Sequence, residues 1–190
     1  MRAWSRKNCL VAITIFVPLL SGEAIAQNLL KNPYFDPGIE PWGIFPDDGR
    51  VFWDTGMDHH DVGSTAAASV HLDTADTESF AAQCVPIDRN VTYVASTWVY
   101  AACSGMRFYV FWASNDDCSD TGSFDNVFAR SSTSNAWENL TVAATPPAGA
   151  TEAVVTLVNP GGCSNGAYFD DVMFESQAIF ADGFEGEALE

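Results

Sequence analysis

The chain has 190 residues, enough for one ordinary domain and too few for two. Lysine and arginine total 8 against 25 aspartates and glutamates, a formal charge of −17. That balance excludes nucleic acid and anionic membrane surfaces as partners, since both need a basic patch, and 13% aromatic content excludes a disordered chain.

Residues 1–26 read as a secretory leader. Arg2, Arg6 and Lys7 form a basic start, Leu10 to Leu20 an apolar run, and Ala24-Ile25-Ala26 a small-x-small cleavage pattern. The run is too short to span a bilayer, and Cys9 precedes it, which argues against a lipid-anchored cysteine. Cleavage near Ala26 sends the remainder out of the cell or into the periplasm as a secreted protein. Lys31, Arg50, Arg89, Arg107 and Arg130 are then the strong cations that remain.

After the leader, alternation of apolar and polar residues dominates and helical periodicity is absent. Short candidate strands lie at 28–35 and 50–54. Over 66–72, Ala66, Ala68, Val70 and Leu72 share one face while Ser69 and His71 face the other way, as in a half-buried strand. Residues 78–85 and 125–130 are further short candidates. Residues 91–101 are β-branched and aromatic throughout, and 106–113, 137–144, 152–158 and 167–175 behave alike. Clusters of Asp, Gly, Ser, Asn and Pro at 46–49, 58–64, 114–123, 145–149 and 159–166 punctuate them. About ten short strands between turns predict an all-β fold, a two-sheet antiparallel β-sandwich, over 27–176. Residues 177–190 form a short acidic C-terminal tail whose Ile179, Phe180 and Phe184 are available for docking or recognition.

Cys84, Cys103, Cys118 and Cys163 are an even set in an exported domain, which predicts two disulfides. No Cys-x-x-Cys pair supports a zinc site. Joining strand end to strand end and loop to loop gives Cys84–Cys118 and Cys103–Cys163. The competing arrangement joins Cys103 to Cys118.

Three segments resemble the carbohydrate-binding modules of families four, nine and twenty-two. They are Asn28-Leu29-Leu30-Lys31-Asn32-Pro33-Tyr34-Phe35-Asp36 followed by Trp42, Thr92-Tyr93 through Ser96 to Trp98-Val99, and Pro147-Ala148-Gly149-Ala150 with Tyr168-Phe169-Asp170-Asp171-Val172. In order, they cover about residues 28–175. The resemblance implies a galactose-binding-like jelly roll, and in this family a structural calcium ion between the first and last strands. The matching ligand positions are Asp36 and Asp170, with Asp36 one methylene shorter than the usual Glu. Alternation with Val172 and Phe174 places Asp170 inward and Asp171 outward. A buried carboxylate wants a cation or several donors, and Ca²⁺ takes six to eight oxygens, including carbonyls such as those of the turn Asp61-Val62-Gly63-Ser64. The alternative is an Asp170 that accepts backbone N–H bonds or faces water.

A sugar has an apolar C–H face and a rim of hydroxyls, so its site needs flat aromatic rings with polar neighbours. Trp98 and Tyr100 share one strand face, and Phe108, Val110 and Trp112 share a face of the next strand. If Trp98, Tyr100 and Trp112 face outward on adjacent strands, they form a platform about one sugar wide, with Arg107 and Asn115 as polar contacts. If they face inward they are core, and Tyr93, Ala95, Thr97 and Val99 form the competing inward row. Trp42 and Trp137 are read as core. No Gly-x-Ser-x-Gly, His-Glu-x-x-His or phosphate loop is present, and adjacent His59 and His60, read as exposed loop residues, point to opposite sides of an extended segment. The expectation is therefore a secreted, monomeric, non-catalytic domain that binds a polysaccharide or glycan and holds one Ca²⁺. The alternatives are a structural or adhesion domain of the same fold without sugar affinity, or an accessory piece of a glycoside hydrolase system.

Overall fold

Among the described residues ten strands form: β1 (Gly43–Phe45), β2 (Val51–Asp54), β3 (Ser69–Leu72), β4 (Ser79–Pro86), β5 (Thr92–Ala101), β6 (Arg107–Ala113), β7 (Val127–Arg130), β8 (Trp137–Ala144), β9 (Glu152–Asn159) and β10 (Ala167–Gln177). The computed structural model describes residues 27–45, 50–59, 68–73, 77–163 and 165–177. The expected leader over 1–26, the turn Asp61–Ser64, His60 and the tail beyond Gln177 lie outside the described residues. Among the described residues no helix is long and apolar enough to cross a membrane.

The strands form two five-stranded antiparallel sheets, ordered β1-β4-β9-β6-β7 in the first and β2-β3-β10-β5-β8 in the second. This is the expected β-sandwich of jelly-roll type. Its core lies between the sheets because one phase of each long strand is apolar. In β5 the inward phase is Tyr93, Ala95, Thr97 and Val99, and in β6 it is Phe108, Val110 and Trp112. Phe169 and Phe174 of β10 meet them from the second sheet, and Leu157 of β9 from the first. Each such side chain contributes about 1.5–3 kcal/mol by leaving water.

The segment expected as a first strand, 28–35, is a run of turns, and β1 forms later, at Gly43–Phe45. Asn28 docks this segment on β10 instead of a ladder: its Oδ1 accepts from Phe174 N–H (3.0 Å) and its Nδ2 donates to the Val172 carbonyl (2.9 Å). Backbone bonds from Leu29 N–H to the Phe174 carbonyl and from Val172 N–H to the Pro33 carbonyl complete the join. Phe35 then turns inward at φ 53° and packs on Trp42, whose indole N–H donates to the Asn32 carbonyl. First and last segments therefore lie side by side.

The 66–72 alternation needs correcting. All four residues of β3 are buried, Ser69 and His71 included, and Ala66 lies outside the described residues. The outer face of β3 is covered because Phe52 of β2 meets His71 edge-on and Tyr168 of β10 stacks on it at 4.3 Å.

The two disulfides are Cys84–Cys118 and Cys103–Cys163, with Cα separations of 6.1 and 5.9 Å. The Cys103–Cys118 arrangement does not form. Cys103–Cys163 ties the β5–β6 connection to the β9–β10 connection across 60 residues of chain. Replacing both of its cysteines with serine is expected to lower unfolding free energy by about 3–4 kcal/mol through the freed unfolded chain. Urea titration of the two-serine variant against the parent checks this; an unchanged midpoint would contradict it.

Candidate functional site

The outer face of the first sheet is a grid set by strand register. One row holds Phe45, Phe80, Val158, Arg107 and Arg130 across β1, β4, β9, β6 and β7. The next holds Gly43, Ala82, Thr156, Tyr109 and Phe128, and a third holds Cys84, Val154 and Phe111. Residues directly opposite in an antiparallel pair share a face, so large rings line both sides of a floor of small residues. Phe45 stacks on Phe80 at 5.1 Å; on the far side Tyr109 stacks on Phe111 at 5.1 Å and meets Phe128 at 5.2 Å. Phe45 and Phe128 are 54% and 55% exposed, unusual for phenylalanine on a soluble surface. Between the walls lies a groove of about 480 Å³, floored by Ala82, Val154 and Thr156 and rimmed by Glu78, Thr121 and Asn126.

The sequence-predicted platform is not assembled. Trp112 is on the inward phase of β6, 2% exposed, and is a core residue. Its strand belongs to the first sheet while Trp98 and Tyr100 belong to the second, so they cannot be neighbours on one face. Arg107 is on the outward face of β6, where its Nη1 donates to the Tyr109 hydroxyl at 3.4 Å. Asn115 holds the loop after β6 by donating from Nδ2 to Ser119 Oγ (2.8 Å) and is not among the groove's lining residues. Tyr109, Phe111 and Phe80 were missed as candidates. For Tyr109 and Phe111, Arg107 was the available signal, because an arginine is almost never fully buried unpaired and it shares their phase of β6.

On the outer face of the second sheet Trp98 and Tyr100 do point outward, both half-buried. Trp98 is not a free platform. The His59 imidazole stacks on it at 3.9 Å, which also corrects the reading of His59 as an exposed loop residue. Tyr100 sits between Trp137 at 5.7 Å and Tyr168 at 6.3 Å. Trp137, read as core, is half-buried on this outer face.

Asp170 is buried, but not by the expected alternation. It pairs with Trp98, the outward phase, while Met173 pairs with Ser96, so β10 carries a bulge in which Asp171 adopts φ 50°. The segment ending in Asp58 and His59 lies over it: His59 N–H donates to Asp170 Oδ2 (3.0 Å) and Asp171 N–H to Oδ1 (2.7 Å). Burial first, then the charges of Asp171 and Asp58, push the Asp170 carboxyl up to about 7 against the two N–H donors that lower it. Asp58 is itself 4% exposed, and His59 Nδ1 lies 2.7 Å from Asp171 Oδ2. Asp36, expected beside Asp170, is instead exposed in the turn after Phe35 with its N–H on Asn32 Oδ1. The carboxylates acting on Asp170 are therefore Asp171 and Asp58. Among the described residues the one tight grouping of three possible metal ligands is Cys84, Cys118 and Glu152, and its two sulfurs are tied in a disulfide.

Gly166 holds the outer face of the second sheet together at His71. At φ 67° it favours glycine, and an added Cβ would stand 2.3 Å from His71 Nε2 and 2.9 Å from the Leu72 carbonyl oxygen. Gly166→Ala is expected to displace the His71 ring and cost about 1–3 kcal/mol. A thermal melt checks it, and an unaltered midpoint would show that the backbone shifts freely there.

No family model matches the chain, and no curated protein matches its sequence. Solved structures do match in fold. The enzymatically active domain of tailspike protein 4 from bacteriophage CBA120 aligns with 78% of this chain at TM-score 0.63 and 14% identity, and the chain spans only 21% of that structure. A family 61 carbohydrate-binding module, solved in complex with β-1,4-galactotriose, aligns over 78% of this chain and 97% of its own at TM-score 0.54 and 18% identity. A family 16 carbohydrate-binding module aligns over 77% and 99% at TM-score 0.57 and 18% identity. With its sandwich topology, this gives the chain the two-sheet jelly-roll fold that these structures share.

Proposed function

We propose that the chain is an exported, non-catalytic carbohydrate-binding domain whose polysaccharide or oligosaccharide ligand lies along the groove of the first sheet. The observation that carries this reading is the ring–floor–ring register: Phe80 and the Tyr109–Phe111 pair stand on strands two apart, roughly 10 Å, with small side chains between. A sugar chain entering there lays its C–H faces on the rings, and its hydroxyls meet Glu78, Asn126 and Thr156. Arg107 steadies the Tyr109 hydroxyl. The acidic surface repels anionic polymers, which favours neutral glycans. The galactotriose seen with the family 61 module fits this class of ligand.

A structural Ca²⁺ ion is the second part of the proposal. Asp170 and Asp58 would hold it, supplemented by carbonyl or water oxygens. The support is chemical: two buried carboxylates crowd together, one is driven toward neutrality, and hard oxygen donors suit calcium. The ion would supply the positive charge that lets both stay ionised.

Affinity electrophoresis of the protein through gels containing β-glucan, xylan, β-1,4-galactan or soluble chitin derivatives tests the binding reading. Retardation by at least one is expected. Free migration in all four would favour a structural or adhesion domain of the same fold.

A further inference from the structure

The outer face of the second sheet, opposite the groove, carries a recess of about 500 Å³, within the usual size range of ligand pockets. Its rings are Tyr100, Tyr168 and His71, and its polar rim is Asp73, Asn135 and Asn165. The rings are fixed before any ligand arrives. Tyr168 lies parallel on His71 at 7° and 4.3 Å, and Tyr100 stands at 60° to Tyr168. Gly166 lines the same recess, and no side chain fits there without displacing His71.

One of the buried polar atoms at the recess is unsaturated. His71 is 8% exposed; its Nε2 meets the Asn165 carbonyl, while Nδ1 is buried with no partner. Buried polar atoms left unpaired are rare and call for an explanation. Burial, with the charges of Asp54 and Asp73, keeps the Tyr168 hydroxyl protonated, so it stands ready as a donor.

We infer that this recess is a second carbohydrate-binding site, separate from the groove, that takes a neutral sugar residue by packing it on Tyr100 and Tyr168 and accepting its hydroxyls on Asp73 and Asn135. Rings supply the apolar contact, and a carboxylate with amides supplies hydroxyl recognition, as saccharide binding requires. Asp73 and the neighbouring Asp54 exclude sugars carrying a carboxylate. The two sites face opposite ways from the sandwich, so one domain would engage two glycan chains at once. The inference goes beyond the groove and does not depend on it.

The test uses the full chain, ¹⁵N-labelled, with the groove disabled by Tyr109→Ala and Phe111→Ala. Xylohexaose and β-1,4-galactotriose are titrated in parallel, with trigalacturonate as the anionic control. Saturable shifts of the Ala102, Asn135 and Gly166 amides with at least one neutral sugar, and none with trigalacturonate, are expected. Tyr168→Ala should weaken that binding at least tenfold, and the isosteric Asp73→Asn, which keeps the fold if the tyrosine variant does not, about tenfold. Still amides with both neutral sugars would overturn the inference. So would shifts that both recess variants leave unchanged, or binding of trigalacturonate at these amides. The groove reading is scored separately, by gel retardation of a chain with the recess disabled and the groove intact.

Discussion

Truncating Tyr109 and Phe111 together is expected to weaken glycan retention on the order of 100-fold, enough to release the protein from a gel that retards the parent. Each ring offers a flat face to a sugar, and loss of one well-placed aromatic contact commonly costs about 1.5 kcal/mol, near tenfold. Both side chains are on the outward phase of β6, so the core beneath, Phe108, Val110 and Trp112, is left intact. A thermal midpoint within a few degrees of the parent should accompany the lost binding. Trp112→Ala serves as the contrast. That indole is core, and its removal is expected to cost about 3–5 kcal/mol of stability through the cavity left behind. Any binding it loses comes with unfolding. Retention unchanged in the Tyr109, Phe111 variant on a glycan that retards the parent would move the ligand off this face.

The sandwich was legible because alternation over long strands is a strong signal. The boundaries expected for 137–144 agree with β8, and those for 91–101, 152–158 and 167–175 differ from β5, β9 and β10 by a residue or two. Sites were harder, since a strand with two apolar phases does not say which one is the core. In β5 the phase with Trp98 and Tyr100 competes with the smaller row of Tyr93, Ala95, Thr97 and Val99, and the smaller row is inside. In β6 the phase holding the largest residue, Trp112, is inside, and the phase containing Arg107 is out. Size alone would have failed in one strand or the other; the charged Arg107 decides β6 correctly, and β5 carries no charged residue to decide it. Neighbourhood was the second obstacle. β5 and β6 are consecutive in sequence but lie in different sheets, so sequence adjacency of Trp98 and Trp112 implied a platform that the topology separates. The third was the bulge in β10, which shifts the phase after Asp170 and brings in Asp58 and His59 from a loop far away in sequence. Period-two reasoning has no means to anticipate an inserted residue. Burial of Asp170 and its acceptance of backbone N–H bonds were within reach of the sequence; the nearness of Asp58 and His59 was not.

Asp170 makes the cation-free protein lose stability as pH rises. Its carboxyl titrates near 7 in the folded chain and near its ordinary value of 3.8 when unfolded, so the native state binds the extra proton throughout that window. The sign is therefore opposite to that of a salt-bridged aspartate: stability is full below about pH 4 and falls until the folded group has ionised above pH 7. A shift of about three units corresponds to a loss of about 4 kcal/mol from this one group. In excess chelator the thermal midpoint should accordingly fall between pH 4 and pH 8, after correction for the general titration of the many surface acids by comparison with Asp170→Asn. The variant should lack this component, because an amide keeps an acceptor for His59 N–H and carries no charge to bury. Millimolar Ca²⁺ at pH 8 should restore the midpoint of the parent and leave that of Asp170→Asn nearly unmoved, since the ion stabilises by binding the folded carboxylates only. Asp58→Asn should reduce the calcium response as well, while Asp36→Asn should retain it, because Asp36 stands exposed in the turn after Phe35. Equal melting of the parent in chelator and in Ca²⁺ at pH 8 would remove the ion from the proposal. A calcium response lost in Asp36→Asn and kept in Asp58→Asn would place it with a different set of ligands.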